Sequence, residues 1–324
     1  MRSYWIQQSG SETKLELRDV AVPEPGSGQV LVRLRAAGLN RGEFIAGHGL
    51  HKPGAAKAAG TEGAGEVAKL GAGVTGLAAG ERVMGRCPGA FAEYALMDAR
   101  EAIPIPARLS WQEAAAVPLV FMVVHDMLIG QGRLQAGEWL LVTGVSSGVG
   151  VGALQAAKAL GAKVIGTSGS AEKLARLAPL GLDVAIRTRA PDFCAAVMQA
   201  TGGRGADLAV NTVGGSVFAE CVRALAFEGR LAIVGYVDGQ LKAEMDIEAL
   251  HAKRLRLFGV SNKLRNAEQR ASTVRGFVAD LLPAIADGRI RPLVDRVFPF
   301  AELPQAKALM ESNAHTGKIV VSLP

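Results

Sequence analysis

The sequence predicts an α/β fold in which a doubly wound, six-stranded parallel sheet is inserted into a second, mainly β domain. Between residues 139 and 260, six short apolar segments alternate with amphipathic ones, which is typical of parallel strands with crossover helices. The first hundred residues instead hold short alternating segments interrupted by glycine and proline, which predict a partly barrel-like β domain. The tail after the sheet is too short to fold alone. We therefore expect domain boundaries of 1–120 and 263–324 for the β domain, and 121–262 for the inserted domain.

The six strands of the parallel sheet are predicted, in chain order, at WLLVT, AKVIGT, DVAIR, ADLAVN, RLAIVGY and LRLFGV. Each is short and apolar throughout, as expected of strands that are buried on both faces. The crossover helices are predicted at residues 152–160, 171–180, 193–200, 217–226 and 247–252. In the tail, a long helix over about 267–287 should be kinked at Pro283, because proline lacks the N–H that a helix interior requires. A helix over 301–312 and the strand GKIVVSL close the chain.

The turn after the first strand of this sheet is the feature that points most directly to a ligand. The segment LLVTGVSSGVG is an apolar strand followed by a tight turn of small residues and the start of a helix. Such a turn exposes backbone N–H groups at a helix N-terminus, where a pyrophosphate can bind. Against the pattern G-x-G-x-x-G, only the last glycine is in place, so a turn that binds nothing is the alternative. The predicted contacts are Ser146, Ser147, Gly148, Val149 and Gly150.

The end of the second strand distinguishes between the two nicotinamide cofactors. Enzymes that use NAD place an acidic residue there to bind the ribose 2′-hydroxyl, whereas this strand ends in Thr167 and Ser168. The donors Ser168, Ser170 and Lys173 suit a 2′-phosphate, which a carboxylate would repel. Either Arg187 or Arg189 could complete the pocket. The sequence therefore predicts NADPH as the cofactor, with an ordinary solvated loop as the alternative.

Residues after the later strands are expected to lie along the same crevice, because the carboxyl ends of parallel strands share one edge of the sheet. These residues are Asn211, Val213, Gly214, Gly235, Tyr236, Ser261 and Asn262.

Composition excludes several classes of protein. At 324 residues and 49% hydrophobic, the chain can bury two cores, and it lacks a run of 18 apolar residues or a signal peptide. We therefore expect a cytoplasmic protein that does not enter a membrane. Cys87, Cys194 and Cys221 are isolated and fit neither a disulfide framework nor a C-x-x-C zinc site. The net charge of +6 is dispersed, so binding to nucleic acid is not expected, although the basic stretch HAKRLR leaves it open.

Several motifs, taken in order, resemble the medium-chain dehydrogenase/reductase superfamily over nearly the whole chain. They are AAGLN, GTEGAGEV, GERVMG, FAEYA, AAAVPL, SSGVG followed by QAAKALGAKVIGTSGS, GRLAIVG and GKIVV. Within the superfamily the chain resembles the zinc-independent, zeta-crystallin-like NADPH:quinone oxidoreductase branch. The resemblance implies a GroES-like substrate domain around a Rossmann-type nucleotide domain. It also implies a homodimer that pairs the edge strand LRLFGV of each copy.

The resemblance also implies that no metal takes part. Zinc-dependent relatives use a cysteine near the position of Arg41 and a histidine in a G-H-E motif, where this chain has Thr61. The four-cysteine lobe that binds structural zinc is missing as well. His48, His51 and His125 are interpreted as surface or cleft histidines rather than as substitute ligands.

The expected reaction is hydride transfer from NADPH to a quinone or a similar activated carbonyl compound. By resemblance, Asn40 lies beside the nicotinamide ribose, and Arg41, His48, His51 and Phe91 contribute to the substrate pocket. Arg41 and His48 are candidate donors to the oxygen on which negative charge develops. One alternative is an alkenal or enone double-bond reductase on the same fold. Another, of a different class, is an NADPH-binding protein with a structural or RNA-binding role.

Overall fold

The computed structural model describes residues 1–9, 12–44 and 56–324, which form two compact units. The first unit comprises Met1–Val120, Lys263–Val278 and Pro292–Pro324, and the second comprises Phe121–Asn262 and Ala279–Arg291. The segment Ala279–Arg291 therefore belongs to the second unit, whereas the predicted boundaries assigned it to the first. Gln155 of the second unit holds the end of this segment through two hydrogen bonds, accepting from the N–H of Arg291 and donating to its carbonyl, each at 2.8 Å.

The secondary structure follows in chain order. The first stretch contains β1 (Arg2–Ser9), β2 (Glu12–Asp19), β3 (Gln29–Gly38), β4 (Lys57–Ala58), β5 (Glu62–Leu70), β6 (Arg82–Arg86), β7 (Tyr94–Asp98), β8 (Ile103–Pro104), α1 (Trp111–Ala115) and α2 (Pro118–His125). The middle contains β9 (Trp139–Thr143), α3 (Gly148–Ala159), β10 (Lys163–Ser168), α4 (Ala171–Leu177), β11 (Val184–Arg187), α5 (Cys194–Ala200), β12 (Ala206–Asn211), α6 (Phe218–Ala224), β13 (Leu225–Ile233), α7 (Ile247–Ala252) and β14 (Arg256–Gly259). The tail contains α8 (Ala267–Asp280), α9 (Leu282–Ala286), β15 (Val294–Pro299), α10 (Leu303–Glu311) and β16 (Lys318–Ser322).

The first unit is built on a seven-stranded sheet of order β15-β16-β3-β5-β6-β8, with β7 also paired to β3. Alternate residues of β3, including Val30, Val32 and Leu34, are fully buried in its core. Glycine in β5 allows close contact with β3, because a Cβ on Gly65 would lie 2.1 Å from the carbonyl oxygen of Arg33. The closing strand β16 lies beside β3, so the tail completes this sheet, as its shortness predicted.

An amino-terminal hairpin, absent from the sequence prediction, adds a small second sheet of order β2-β1-β4. Its inward side chains Tyr4 and Ile6 are only 5% and 3% exposed. On the other face, the Arg18 guanidinium lies 4.8 Å from the centre of the Trp5 ring, a cation–π contact. The hairpin therefore forms part of the core of the first unit.

The second unit is an all-parallel, six-stranded sheet of order β11-β10-β9-β12-β13-β14. The first strand in the chain is central, and later strands extend the sheet in both directions, so the predicted doubly wound fold is confirmed. Leu140, Leu141 and Val142 of β9 are fully buried, as the continuous apolar run predicted. Because all strands are parallel, their carboxyl ends lie along a single edge.

Several predicted elements have different bounds in the structure; α3, for example, begins at Gly148 rather than at residue 152. Strand β13 begins at Leu225, directly after α6, whereas the sequence suggested a helix through residue 226 and a strand from 230. The long helix of the tail is interrupted at Leu281 and resumes as α9 with Pro283 near its start, which confirms the kink. Among the helices that the structure describes, none is long and apolar enough to span a membrane.

Candidate functional site

The turn between β9 and α3 has the geometry of a phosphate-binding turn. Gly144 adopts a φ of +64°, and the Ser147 hydroxyl caps α3 by accepting the N–H of Gly150 at 3.1 Å. A Cβ on Gly150 would lie 2.6 Å from the carbonyl oxygens of both Gly144 and Val145. This packing explains why the sequence keeps the last glycine of the pattern. The backbone N–H groups of Gly148 and Val149 begin the same helix turn, where the dipole favours an anion.

The ends of β10 and β11 bring together the residues predicted for a 2′-phosphate. The Ser146 hydroxyl lies 3.3 Å from that of Ser168, which joins the phosphate-binding turn to the end of β10. Ser168 pairs in register with Arg187 at the end of β11. The Ser170 hydroxyl caps α4 by accepting the N–H of Lys173 at 3.2 Å. The structure therefore places four of the residues predicted for the 2′-phosphate at one corner of the sheet: Ser168, Ser170, Lys173 and Arg187.

Arg189 has a more specific position than Arg187. Its side chain lies directly over Gly169, where a Cβ would overlap the Arg189 Cγ, Cδ and Nε atoms. Gly169 lies between Ser168 and Ser170 in the chain, so the Arg189 side chain lies beside the segment that carries both hydroxyls. The sequence could not distinguish the two arginines, because this placement depends on how the loop after β11 folds.

The turns after β12 and β13 are held together by buried polar groups. The Asn211 Oδ1 accepts the N–H groups of Val213 and Gly214, each at 2.9 Å, and its amide donates to the Gly214 carbonyl at 2.8 Å. Gly235 follows β13, and its N–H donates to the Asn211 carbonyl at 3.3 Å. Tyr236 comes next, while Ser261 and Asn262 follow β14, all along the same edge of the sheet.

The sequence analysis missed Asp238, which holds the loop after β13 in place. Its Oδ2 accepts both the N–H and the hydroxyl of Ser216, and its Oδ1 accepts the N–H of Gln240. Burial acts to raise the pKa of the carboxyl, but the hydrogen bonds from Ser216 and Gln240 together lower it below its ordinary value. Gly214 has a φ of +131°, and a Cβ there would collide with the Asp238 carboxylate.

In the first unit, five polar side chains form a group that we call the buried polar cluster: Asn40, Glu43, Thr61, Glu62 and Lys318. Sheet pairing brings them together, because Val320 of β16 pairs with Gly38 of β3 and Gly63 of β5 pairs with Ala37. The residues next to these pairs therefore meet at one end of β3. The sequence motifs GTE and GKIVV contain Thr61, Glu62 and Lys318. The motifs alone do not show that these side chains lie together in the folded chain.

Lys318 and Glu62 form the ionic centre of the buried polar cluster. The Lys318 Nζ lies 2.6 Å from the Glu62 Oε1, and the two side chains are 7% and 0% exposed. The ammonium also donates to the Leu39 carbonyl at 2.7 Å and to the Asn40 Oδ1 at 2.9 Å. The Glu62 Oε2 accepts the N–H of Leu119 at 2.7 Å. Each charge thus has several partners, as a buried ion pair requires.

Glu43 is the second buried carboxyl of the cluster. Its Oε1 accepts from the Thr61 hydroxyl and from the Asn40 amide, the latter at 3.2 Å. Burial raises the pKa of Glu43 to about 7, and the hydrogen bonds from Thr61 and Asn40 oppose only part of that rise. The carboxyl therefore changes protonation state near neutral pH.

Of the four residues predicted for the substrate pocket, one is buried in the core, one is hydrogen-bonded to the end of α10, and two lie outside the described residues. Phe91 has no exposed surface, because its ring stacks on Phe44 within the β-rich core, so it does not present a face to a ligand. The Arg41 guanidinium donates to the Met310 carbonyl at 3.0 Å and to the side chain of Asn313, which holds it against the end of α10. His48 and His51 lie outside the described residues.

Groups considered as metal ligands do not converge in the described part of the chain. No three His, Cys, Asp or Glu side chains there are arranged to hold a metal ion. His125 was expected at a surface or cleft, but it is 8% exposed and its Nε2 lies 2.8 Å from the Asp280 carboxylate. Cys87 and Cys221 are buried free thiols, and burial raises the pKa of Cys221 to about 12.

The chain matches two family descriptions. Residues 26–107 match the alcohol dehydrogenase GroES-like domain, and residues 148–274 match the zinc-binding dehydrogenase family. The rat quinone oxidoreductase is 28% identical to this chain, and the alignment covers 100% of this chain and 98% of that protein. The chain belongs to the medium-chain dehydrogenase/reductase superfamily, in its quinone oxidoreductase-like branch.

Two further relatives place this superfamily member in context. A phenolphthiocerol/phthiocerol polyketide synthase protein of Mycobacterium tuberculosis is 32% identical over 98% of this chain, which spans 15% of that much longer protein. A mycobacterial protein solved in complex with NADPH has a TM-score of 0.89 at 26% identity, covering 99% of this chain and 100% of that one. The predicted oxidoreductase fold is thereby confirmed.

Proposed function

We propose that this superfamily member is a reductase that transfers hydride from NADPH to a quinone or a similar activated carbonyl compound. The observation that carries the proposal is the set of donors at the ends of β10 and β11. Enzymes that use NAD have an acidic residue at this place, which binds the ribose 2′-hydroxyl. This chain instead has hydrogen-bond donors and cations that suit a 2′-phosphate: Ser168, Ser170, Lys173 and Arg189. The mycobacterial relative that was solved with NADPH supports the same cofactor.

The phosphate-binding turn fits the pyrophosphate of that cofactor. Its small residues leave backbone N–H groups at the start of α3, and the hydroxyls of Ser146 and Ser147 lie in the same turn. Gly150 allows the helix to pack against the carbonyls of the turn. When NADPH is bound it supplies the hydride, and the residues of this chain bind and orient it.

A quinone is the preferred acceptor because it accepts hydride with little assistance. The negative charge that develops on its oxygen needs only a hydrogen-bond donor. The likeness to the rat quinone oxidoreductase along the full chain favours this acceptor. Following the family resemblance, we assign Asn40 to the nicotinamide ribose, and Arg41 and His48 remain candidate donors to the developing oxyanion.

The second candidate acceptor is an alkene conjugated to a carbonyl. This acceptor is the alternative that the family resemblance left open. Hydride addition to such an alkene leaves an enolate, which has the same need for stabilisation on oxygen.

An assay of cofactor oxidation distinguishes these proposals. Purified, chelator-treated protein is incubated with NADPH or NADH, and with phenanthrenequinone or an unsaturated aldehyde. Oxidation of NADPH that depends on the quinone and survives the chelator supports the proposal. Reduction of the aldehyde alone moves the function to the alkene. Tight NADPH binding without turnover of either acceptor contradicts both.

We also propose that the protein is a homodimer. Strand β14 is the last strand in the order of the six-stranded sheet, and Leu257 on it is 38% exposed. Pairing β14 with its copy in a second chain would satisfy its outer backbone groups and cover this apolar side chain.

A further inference from the structure

The strand order of the second unit divides its sheet into two halves, which meet between β9 and β12. Strands β9, β10 and β11 form the first half, whose ends carry the donors that we propose for the 2′-phosphate. Strands β12, β13 and β14 form the second half. In a doubly wound sheet of this order, each half binds one mononucleotide of a dinucleotide, across the point where the strand order reverses. By this rule the second half binds the nicotinamide mononucleotide.

The turn that follows β12, residues 212–216, lies against the phosphate-binding turn, and we call it the β12 turn. A Cβ on Gly144 would lie 2.7 Å from the Thr212 hydroxyl oxygen and 3.7 Å from a methyl carbon of Val213. The Thr212 hydroxyl donates to the Thr143 carbonyl at 2.6 Å, which fixes this contact. Val213 is only partly buried, so the β12 turn keeps accessible surface beside the phosphate-binding turn.

Asn211, the last residue of β12, supports the β12 turn from a buried position. Its side chain makes three hydrogen bonds to the backbone of Val213 and Gly214, each at 2.8 or 2.9 Å. Asn211 is 1% exposed, so it has no surface of its own for a ligand. The shape of the turn therefore depends on side chains that a cofactor does not touch.

Asp238, from the loop after β13, holds the same turn through a second set of contacts. Its Oδ2 accepts the N–H of Ser216 at 2.8 Å and the Ser216 hydroxyl at 2.5 Å. The N–H of Asp238 donates to the Val213 carbonyl at 3.0 Å. Gly214 packs against the carboxylate, because a Cβ there would lie 2.0 Å from the Asp238 Oδ1. Asp238 thus contacts the turn at Val213, Gly214 and Ser216.

We propose that Asp238 is a positioning residue for the nicotinamide half of the cofactor and that it acts through the β12 turn. The inference rests on the proposed reductase function, because it concerns the cofactor of that reaction. An aspartate suits this role, since an ionised carboxylate accepts several hydrogen bonds at once. The carboxylate keeps the turn in one conformation before the cofactor arrives, so that binding does not have to order it.

The test measures three dissociation constants in the full chain by calorimetry, for NADPH, NADH and adenosine 2′,5′-bisphosphate. The bisphosphate carries the 2′-phosphate but no nicotinamide, so it reports on the first half of the sheet. Asp238→Asn places an amide where the backbone N–H groups of Ser216 and Gln240 need an acceptor. It should raise the Kd for NADPH and for NADH by the same factor, about 10-fold. The Kd for the bisphosphate should stay within about twofold, because effects at separate sites are nearly independent.

A second variant and a control accompany this change. Ser216→Ala removes only the hydroxyl donor and should give the same pattern with a smaller loss, about threefold. The matched control is Asp246→Asn, because Asp246 ends the same loop and also accepts a backbone N–H, that of Ala249, at 2.8 Å. It should leave all three constants unchanged.

The fluorescence anisotropy of the nicotinamide ring in bound NADPH gives a further readout at saturating protein. The anisotropy should fall in Asp238→Asn, because the ring gains freedom when the β12 turn is no longer fixed. It should keep the wild-type value in Asp246→Asn. A constant anisotropy in Asp238→Asn would contradict a positioning role.

Two binding results would overturn the inference. An unchanged Kd for NADPH in Asp238→Asn would show that the β12 turn keeps its shape without the carboxylate. Equal weakening of all three ligands would show that Asp238 supports the whole unit. If Asp238→Asn does not fold, Ser216→Ala decides the matter through the same three constants. These results contradict only this inference, whereas wild-type protein that does not bind NADPH contradicts the proposed function as well.

Discussion

At the scale of single residues, the donors that we propose to bind the 2′-phosphate have positions that the backbone determines. Ser170 is the cap of α4, so its place follows from the helix start, and Lys173 lies one turn further along. Arg189 packs against Gly169, which lies between two serines. Any side chain at residue 169 would collide with the Arg189 side chain. The proposed selectivity for a 2′-phosphate would therefore depend on Gly169 as well as on charged side chains.

Lys173→Ala and Arg189→Ala should each raise the Kd for NADPH roughly 10- to 100-fold, because each removes one charge-assisted contact with the phosphate. The Kd for NADH should stay nearly constant, since that cofactor has no 2′-phosphate. Both constants can be measured by fluorescence titration. Arg204→Ala is the control, because Arg204 is an exposed arginine of the same unit that pairs with Asp207 at 3.1 Å. An equal loss for both cofactors would contradict the assignment.

At the scale of secondary-structure elements, the turn from β9 into α3 depends on close packing between a helix and two carbonyls. The helix can start so near the strand only because residue 150 has no side chain. The same element carries the amides that we propose to bind phosphate, so a change at residue 150 should affect both stability and cofactor binding.

Gly150→Ala should lower the free energy of unfolding by about 1–3 kcal/mol and weaken the binding of NADPH and NADH together. The added methyl group would have to displace α3 from the Gly144 and Val145 carbonyls. Urea denaturation and cofactor titration measure the two effects. Gly259→Ala is the matched control, because a Cβ there has open space around it. Unchanged stability in Gly150→Ala would show that the turn adapts to the methyl group.

At the scale of the whole molecule, the buried acid Glu43 links stability to pH. Its pKa rises from 4.5 to about 7 on folding, so the folded chain binds more protons than the unfolded chain between these values. The stability that this carboxyl contributes is fully present below about pH 4.5 and is lost as the pH rises through about 7.

The free energy of unfolding of the wild type should therefore fall relative to that of Glu43→Gln by roughly 3 kcal/mol between about pH 4.5 and pH 8. Denaturation of both proteins at a series of pH values measures the difference. The control is Glu101→Gln, which removes another buried carboxyl of the first unit but retains Glu43, so it should show the same pH trend as the wild type. A constant difference across the range would indicate that Glu43 does not titrate there.

Assembly of two chains gives a second prediction at this scale. Leu257→Lys should convert a dimer into a monomer, because it places a charge on the edge strand that would pair with its copy. Analytical ultracentrifugation measures the change. The control is Leu17→Lys, since Leu17 is 44% exposed on β2, at the edge of a different sheet. A monomeric wild type, or a dimeric Leu257→Lys, would contradict pairing through β14.

The sequence by itself determined the features that depend on neighbouring residues. Apolar runs and their spacing predicted the six parallel strands, the turn letters predicted the phosphate-binding turn, and Pro283 predicted the break between α8 and α9. These follow from local rules, because side-chain periodicity and backbone restriction act over a few residues.

Tertiary structure alone decided which distant residues meet. The pairing of β16 and β5 with β3 joins Lys318, Glu62 and Glu43 from three separate segments, and burial then sets the protonation of Glu43. Phe91 and His125 were assigned to accessible sites, yet packing buries both. Sheet register and burial are properties of the whole fold, and they control electrostatics because removal of water changes the energy of every charge.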